Sequence, residues 1–131
     1  MPVNGKAIRV LVADDERTIA NTLARILNAS GFEAKAVYSG EKAVEVARDL
    51  QPDVVITDVV MGGITGIEAA INITAILPGC RIILFSGQAS TADLLESAEA
   101  NGHRFEILTK PVHPQVLLDH LAAAVSSAPL F

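Results

Sequence analysis

Cysteine, tryptophan and long hydrophobic runs are scarce or absent in this sequence of 131 residues. Because Cys80 is the one cysteine, an internal disulfide is excluded and a reducing compartment is expected. Uninterrupted apolar runs are all shorter than the about 18 residues that a transmembrane helix needs, and the first ten residues lack the apolar region of a signal peptide. The sequence therefore predicts a cytoplasmic protein that does not enter a membrane.

Positive charge is also scarce. The sequence has 10 Lys and Arg residues, which are scattered, against 15 Asp and Glu, and a formal net charge of -5. Nucleic-acid-binding domains usually carry a basic patch, so we expect no nucleic acid to bind through this domain. The hydrophobic fraction is 50%, which argues against disorder and provides for the core of one domain.

Short apolar segments alternate along the chain with segments of helical periodicity. The predicted strands cover 7–13, 33–39, 53–57, 81–86 and 105–109, and the predicted helices cover 16–29, 40–50, 67–77, 91–101 and 114–127. Buried strands that alternate with amphipathic helices predict an α/β fold with a parallel sheet covered on both faces. The five units account for nearly the whole chain, which predicts a single domain over 1–131, with a core of about 7–127 and a short C-terminal tail.

Polar side chains that could bind a ligand or take part in a reaction follow four of the five predicted strands. Asp14 and Asp15 follow the first strand, and Asp58 follows the third. Ser86 ends the fourth strand and Lys110 follows the fifth. In open α/β sheets, ligands bind beyond the carboxyl ends of the strands, so we expect these side chains to lie at one edge of the sheet.

Each of these residues also has an ordinary structural explanation. Asp14 or Asp15 is a suitable N-cap for the first helix, and an isolated Asp58 is usually a cap or turn residue. Ser86 and Gly87 are common in turns. Caps and turns of independent origin need not fall at these four strand ends, however, and their joint occurrence favours a functional site.

The residue types indicate phosphoryl chemistry that depends on a hard cation. Two carboxylates about 4 Å apart repel each other by roughly 4 kcal/mol at an effective dielectric near 20, so the run Asp14, Asp15 and Glu16 favours a cation between the side chains. Clustered carboxylates without His or Cys favour Mg²⁺. A carboxylate beside the metal can act as a nucleophile that forms an aspartyl-phosphate, while a lysine neutralises phosphoryl charge.

The motifs at these strand ends, "VADDE", "ITDVVMGGITG", "LFSG" and "LTKP", resemble those of the receiver domain of bacterial two-component response regulators. The resemblance extends over nearly the whole chain. It implies a flavodoxin-like, doubly wound sheet of five parallel strands in the order 2-1-3-4-5, with five helices. It also implies a phosphoacceptor signalling domain rather than an enzyme.

The resemblance assigns roles to individual residues around a magnesium ion. It implies that Asp58 accepts a phosphoryl group from a histidine kinase. It further implies that Asp15 binds Mg²⁺ directly, that Asp14 acts largely through water, and that the backbone carbonyl of Val60 is another metal ligand.

The remaining implied roles concern the phosphoryl group and the partners. Lys110 would pair with the phosphoryl group, and Ser86 would turn inward to bond it as the family's switch. The upstream partner would be a histidine kinase or a phosphotransfer protein. The downstream partner would be a separate protein or an output domain outside these 131 residues, and homodimerisation is left open.

The sequence departs from the family pattern at Gly62 and Ile107, and its segment from Gly102 to Lys110 is one residue longer than the common form. Gly62 occupies a position where the family usually has proline, which predicts a looser loop after Asp58. Ile107 occupies the position of the usual aromatic switch residue, three before Lys110, and Phe105 lies two residues earlier. The sequence therefore does not predict that the Ser86 switch is coupled to a change in the conformation of an aromatic side chain.

Other phosphate-binding classes fit the residues less well. A phosphatase of the haloacid dehalogenase type needs a second acid two residues after its nucleophile, where this chain has Val60. A flavodoxin needs a Ser/Thr-rich loop after the first strand, where Asp14 and Asp15 would repel phosphate. The P-loop motif is absent. A receiver-like module that acts through protein contacts without phosphate remains as the alternative.

Overall fold

A computed structural model describes residues 7–87, 96, 99–100, 102 and 105–126 of the chain. The strands are β1 Arg9–Ala13, β2 Glu33–Val37, β3 Val54–Asp58, β4 Arg81–Ser86 and β5 Glu106–Thr109. The helices are α1 Arg17–Ala29, α2 Gly40–Leu50, α3 Gly66–Ile76 and, by our numbering, α4 Pro114–Ser126. Most boundaries lie within two residues of those predicted from the sequence.

The five strands form one parallel sheet in the order β2-β1-β3-β4-β5, which confirms the predicted topology. In β3 the backbone extends one residue further than predicted, so Asp58 is the last residue of the strand and pairs with Phe85. Ser86, the last residue of β4, pairs with Thr109. These pairings bring the carboxyl ends of adjacent strands to the same edge of the sheet.

Helices cover both faces of the sheet because side chains alternate between its two sides. One core cluster joins α2 and α3 to one face, with Leu11, Val55 and Leu84 as its strand residues. The other cluster joins α1 and α4 to the opposite face, with Val12 and Ile56 among its strand residues. The central strand β3 is buried along its whole length, which explains its apolar residues Val54, Val55 and Ile56.

Four helices are seen in the described part of the chain, against the five predicted. The predicted helix 91–101 lies largely outside the described residues, although 96, 99 and 100 are helical. Among the described residues, none of the helices has both the length and the hydrophobicity to cross a membrane.

Helix α3 begins with a reciprocal capping arrangement directly after the loop that follows Asp58. The Thr65 side chain accepts a hydrogen bond from the Glu68 amide at 3.1 Å, and the Glu68 carboxylate accepts one from the Thr65 amide at 3.1 Å. Gly66 donates its amide to the carbonyl of Val59 at 2.9 Å. The start of α3 is thus fixed against the end of β3.

Gly66 allows this close approach because it has no side chain. A methyl group there would overlap the backbone carbonyl of Asp58 and come within 3.0 Å of Thr57 Oγ1. We therefore expect Gly66→Ala to lower the free energy of unfolding by about 1–3 kcal/mol or more, as other overpacked substitutions do. Urea denaturation of the purified variant measures this change.

The matched control is Gly62→Ala in the same loop. A Cβ atom at Gly62 would meet nothing within 4 Å, and the residue does not need a left-handed backbone. Its free energy of unfolding should stay the same or rise by about 0.4–1 kcal/mol through the lower entropy of the unfolded chain. Equal losses in both variants would contradict the proposed role of the close contact at Gly66.

Candidate functional site

Three carboxylates and one ammonium group meet at the carboxyl edge of the sheet. The ammonium nitrogen of Lys110 lies 2.9 Å from Asp58 Oδ2 and 3.8 Å from Asp14 Oδ2. One carboxylate oxygen from each of Asp14, Asp15 and Asp58 lies within 4.8 Å of the other two. The residues come from the ends of β1 and β3 and from the segment after β5, so the sheet topology brings them together.

Asp14 is the most buried member of this group, with 2% of its surface exposed. Its Oδ1 accepts a hydrogen bond from the Glu16 amide at 2.9 Å, which turns the chain from β1 towards α1. Glu16 holds the N-cap position of α1, and its side chain makes no capping bond. Neither Asp14 nor Asp15 is therefore the helix N-cap, which was the alternative explanation from the sequence.

The second oxygen of Asp14 has no hydrogen-bond partner among the residues that the structure describes. Asp14 Oδ2 is buried, and its nearest described cation is the Lys110 ammonium at 3.8 Å, beyond hydrogen-bond distance. A buried charged oxygen without a partner costs free energy, because burial removes its water. A cation among the three carboxylates would supply that partner, and oxygen ligands of this kind suit Mg²⁺. The residues present therefore fit the metal that the sequence predicts.

Burial and neighbouring charges oppose each other in the pKa of Asp14. Loss of water raises this pKa; the Glu16 amide and the Lys110 charge lower it, and Asp58 and Asp15 raise it, with a net increase. A carboxyl whose pKa is higher in the folded state contributes stability that is lost as pH rises through that raised pKa. Ionisation of the buried Asp14 carboxyl therefore costs the folded protein stability unless a cation lies nearby.

Burial and neighbouring charges also oppose each other in the pKa of Lys110, but here the neighbouring charges outweigh burial. Burial lowers the pKa of the ammonium, but the hydrogen bond and charge of Asp58, followed by the charges of Asp14 and Glu16, raise it overall. Lys110 is therefore fully protonated at neutral pH. It is the positive charge that the described structure provides for the buried carboxylates.

Two hydrogen bonds fix the backbone at and directly after Asp58. It is 9% exposed, and its carbonyl accepts a hydrogen bond from Thr57 Oγ1 at 3.0 Å. The next residue, Val59, donates its amide to Phe85 of β4 at 3.0 Å. The side-chain oxygens differ, because Oδ2 accepts from Lys110 at 2.9 Å whereas Oδ1 makes a long contact of 3.4 Å with the Val60 amide.

Lys110 is fixed at both its backbone and its side chain. Its amide donates to the carbonyl of Ser86 at 3.0 Å, which extends the pairing of β4 and β5 by one residue. Gly87 lies against the lysine stem, since a Cβ atom at Gly87 would be 3.2 Å from Lys110 Cβ. The Lys110–Pro111 peptide bond is cis. Ser86 is partly buried on the strand next to Asp58, at the same edge of the sheet.

Val60, beside the proposed acceptor, and Ile107, at the position of the family's usual aromatic residue, occupy distinct surroundings. The side chain of Val60 is 44% exposed beside Asp58, and that of Ile107 is 45% exposed on β5. Phe105, just before β5, is partly buried and packs against the core cluster of α2 and α3. The Phe105 ring is thus part of the core, while Ile107 presents an apolar surface at the edge strand.

Sequence reasoning missed two residues that shape this site. Gly66 allows α3 to approach Asp58, and Glu41 of α2 accepts a hydrogen bond from the Ile64 amide at 3.1 Å. The capping sequence from Thr65 to Glu68 is a readable sign that α3 begins near Gly66. The position of Glu41 depends on packing between α2 and the loop, 23 positions apart, and has no local sequence pattern.

Comparisons with known proteins agree with this geometry. The family model described as the response regulator receiver domain matches residues 10–122. The chemotaxis protein CheY of Thermotoga maritima is 32% identical over 114 residues, which cover 86% of this chain and 93% of that protein. A receiver domain protein from Clostridium thermocellum has a TM-score of 0.80 at 30% identity, and the match covers 91% of this chain and 94% of that one.

One longer relative matches this chain over only about half of its own length. The DNA-binding response regulator MtrA of Mycobacterium tuberculosis is 28% identical over 115 residues, which cover 88% of this chain and 49% of that protein. The chain thus spans about half the length of the curated MtrA relatives. The family match, which covers most of the chain, and the converging acidic site together show that this chain belongs to the response regulator receiver domains of two-component signalling.

Proposed function

We propose that Asp58 accepts a phosphoryl group from a histidine kinase or a phosphotransfer protein in a reaction that depends on Mg²⁺. The observation that carries this proposal is the pairing of the buried Asp58 with Lys110 at 2.9 Å, beside the carboxylates of Asp14 and Asp15. A nucleophilic carboxylate, a fixed positive charge and a set of oxygen ligands are the parts that phosphoryl transfer to an aspartate requires.

The proposed transfer forms one bond and breaks one. Oδ1 of Asp58 attacks the phosphorus atom, the P–N bond of the phosphohistidine breaks, and its electron pair stays on the imidazole nitrogen. Oδ1 is the better nucleophile because Oδ2 is engaged by the Lys110 ammonium, whereas Oδ1 makes a contact of 3.4 Å with the Val60 amide. Lys110 then neutralises charge on the phosphoryl oxygens.

The metal ligands in this proposal are oxygen atoms. Asp15 and Asp58 would hold Mg²⁺ directly, Asp14 would act largely through water, and the Val60 carbonyl would complete the protein's contribution. The ion supplies positive charge that offsets the charge of the phosphoryl oxygens. The unpartnered oxygen of Asp14 supports this assignment.

The proposed output is a shift between two conformations. The Ser86 hydroxyl would bond the phosphoryl group and so favour the conformation in which it points inward, because a ligand shifts a population only by its differential affinity. The receiver would then act on an output domain or on a separate protein. DNA-binding relatives such as MtrA suggest the first kind of output for longer chains.

Phosphorylation of the parent protein tests the central assignment. We expect acetyl phosphate or a cognate kinase, with Mg²⁺, to label the parent and to leave Asp58→Asn unlabelled, because an amide is not the required nucleophile. Incorporation of radioactive phosphate into the purified proteins measures this difference. Asp49→Asn, an exposed substitution of the same type on α2, should be labelled like the parent.

Two results would count against the assignment. Equal labelling of the parent and Asp58→Asn would place the acceptor elsewhere. An unlabelled parent, with both donors and with Mg²⁺ present, would favour a module that works through protein contacts alone.

Magnesium should stabilise the folded protein by linkage. At a concentration about one hundred times the dissociation constant, the gain in the free energy of unfolding is about 2.7 kcal/mol. We expect thermal denaturation of the parent to shift upwards with Mg²⁺ and that of Asp15→Asn to shift little. Asp49→Asn serves as the matched control and should respond like the parent; equal shifts in all three proteins would rule out the acidic cluster as the metal site.

Val60 should prolong the phosphorylated state. Its side chain is exposed beside Asp58 and cannot hydrogen-bond a water that approaches the phosphorus atom. We expect Val60→Asn to speed autodephosphorylation roughly tenfold, which corresponds to about 1.4 kcal/mol of activation free energy. Decay of label with excess Mg²⁺ measures the rate, and Val60→Thr, which keeps the branched shape, provides a steric control. Slower decay in Val60→Asn than in the parent would refute this role.

A further inference from the structure

We infer that Glu41 is a positioning residue for the magnesium site, because its carboxylate holds the loop that carries the Val60 carbonyl. This inference rests on the proposed function of that site. Glu41 does not belong to the acidic cluster, since it lies in the first turn of α2 and bonds the loop between β3 and α3. It would act on the metal through the backbone conformation of the loop.

Three contacts join the first turn of α2 to this loop. Glu41 Oε2 accepts a hydrogen bond from the Ile64 amide at 3.1 Å. Gly63 has a φ of +81°, and its Cα faces the Glu41 carboxylate so closely that any Cβ atom would collide with it. Gly40 lies under the Ile64 side chain, where a Cβ atom would be 2.6 Å from Ile64 Cγ1. The backbone at 63–64 thus packs directly against the first turn of α2.

The loop needs such a tether because its sequence does not restrict it. Gly62 and Gly63 have more conformational freedom than any other residues, and Gly62 replaces the proline that the family usually has. The loop is fixed at one end where the Gly66 amide bonds Val59. At the other end the Val60 amide makes a contact of 3.4 Å with Asp58. The bond from Glu41 to Ile64 therefore limits how far the segment 60–63 can move.

The charge of Glu41 must be separated from its hydrogen bond. An acidic residue in the first turn of a helix also stabilises that helix through the helix dipole. Glu41→Ala removes both the charge and the acceptor, whereas Glu41→Gln removes the charge but keeps an acceptor oxygen at the same reach. Glu45→Ala is the control, because Glu45 is exposed on α2 and pairs with Lys42 at 3.3 Å, away from the loop.

Titration calorimetry with MgCl₂ on these three variants and the parent tests the inference. We expect Glu41→Ala to raise the dissociation constant for Mg²⁺ about threefold to tenfold, which is the worth of one exposed hydrogen bond. Glu41→Gln should remain within about twofold of the parent, and Glu45→Ala should match it. Hydrogen exchange at the Ile64 amide should be faster in Glu41→Ala and unchanged in Glu45→Ala.

The outcomes separate this inference from the proposed function. An unchanged dissociation constant in Glu41→Ala, or unchanged exchange at Ile64, would overturn the positioning role while the parent still bound Mg²⁺. Equal loss of affinity in Glu41→Ala and Glu41→Gln would also overturn it, since charge would then be the cause. A parent that bound no Mg²⁺ would instead refute the proposed metal site itself.

Discussion

The ion pair between Lys110 and the buried carboxylates of Asp58 and Asp14 is the interaction on which the rest of the site depends. Burial penalises every charge in this group, so each carboxylate needs a cation or a donor nearby. The protein provides that cation from the far end of its sheet. The backbone bond from Lys110 to Ser86 keeps the lysine at the end of β4, one strand away from Asp58. The strand order therefore places the lysine charge near the carboxylates, in addition to determining how the strands pack.

The pair does not neutralise the site, and this imbalance explains its chemistry. Within the described part of the chain, the carboxylates of Asp14, Asp15 and Asp58 lie near one ammonium group, and one buried oxygen has no partner. A phosphoryl group adds further negative charge and would be repelled unless a cation entered with it. In the proposed function, metal binding and phosphorylation would therefore be coupled by charge, because each would lower the free-energy cost of the other.

The sequence was most informative where a residue's environment depends on its own strand or helix. The apolar run before Asp58 predicted a strand buried on both faces, and the polar residues after the strands predicted which side chains meet at one edge. The sequence did not predict contacts that depend on the spacing between elements. The bond from Glu41 to Ile64 and the approach of Gly66 to Asp58 arise from the packing of α2 and α3, for which no local pattern exists. The orphaned oxygen of Asp14 follows from burial, which three consecutive acids did not suggest.

The parallel sheet also determines when the site can exist during synthesis of the chain. Asp58 and Lys110 are 52 positions apart, and Asp14 is further still from the lysine. A growing chain that has completed β3 already contains the three carboxylates but lacks the ammonium group that offsets them. Pairing of β5 with β4 places Lys110 at the acidic edge, and this step requires the last strand of the sheet to have left the ribosome. In the proposed function, the capacity to accept a phosphoryl group would therefore appear only after β5 has paired with β4.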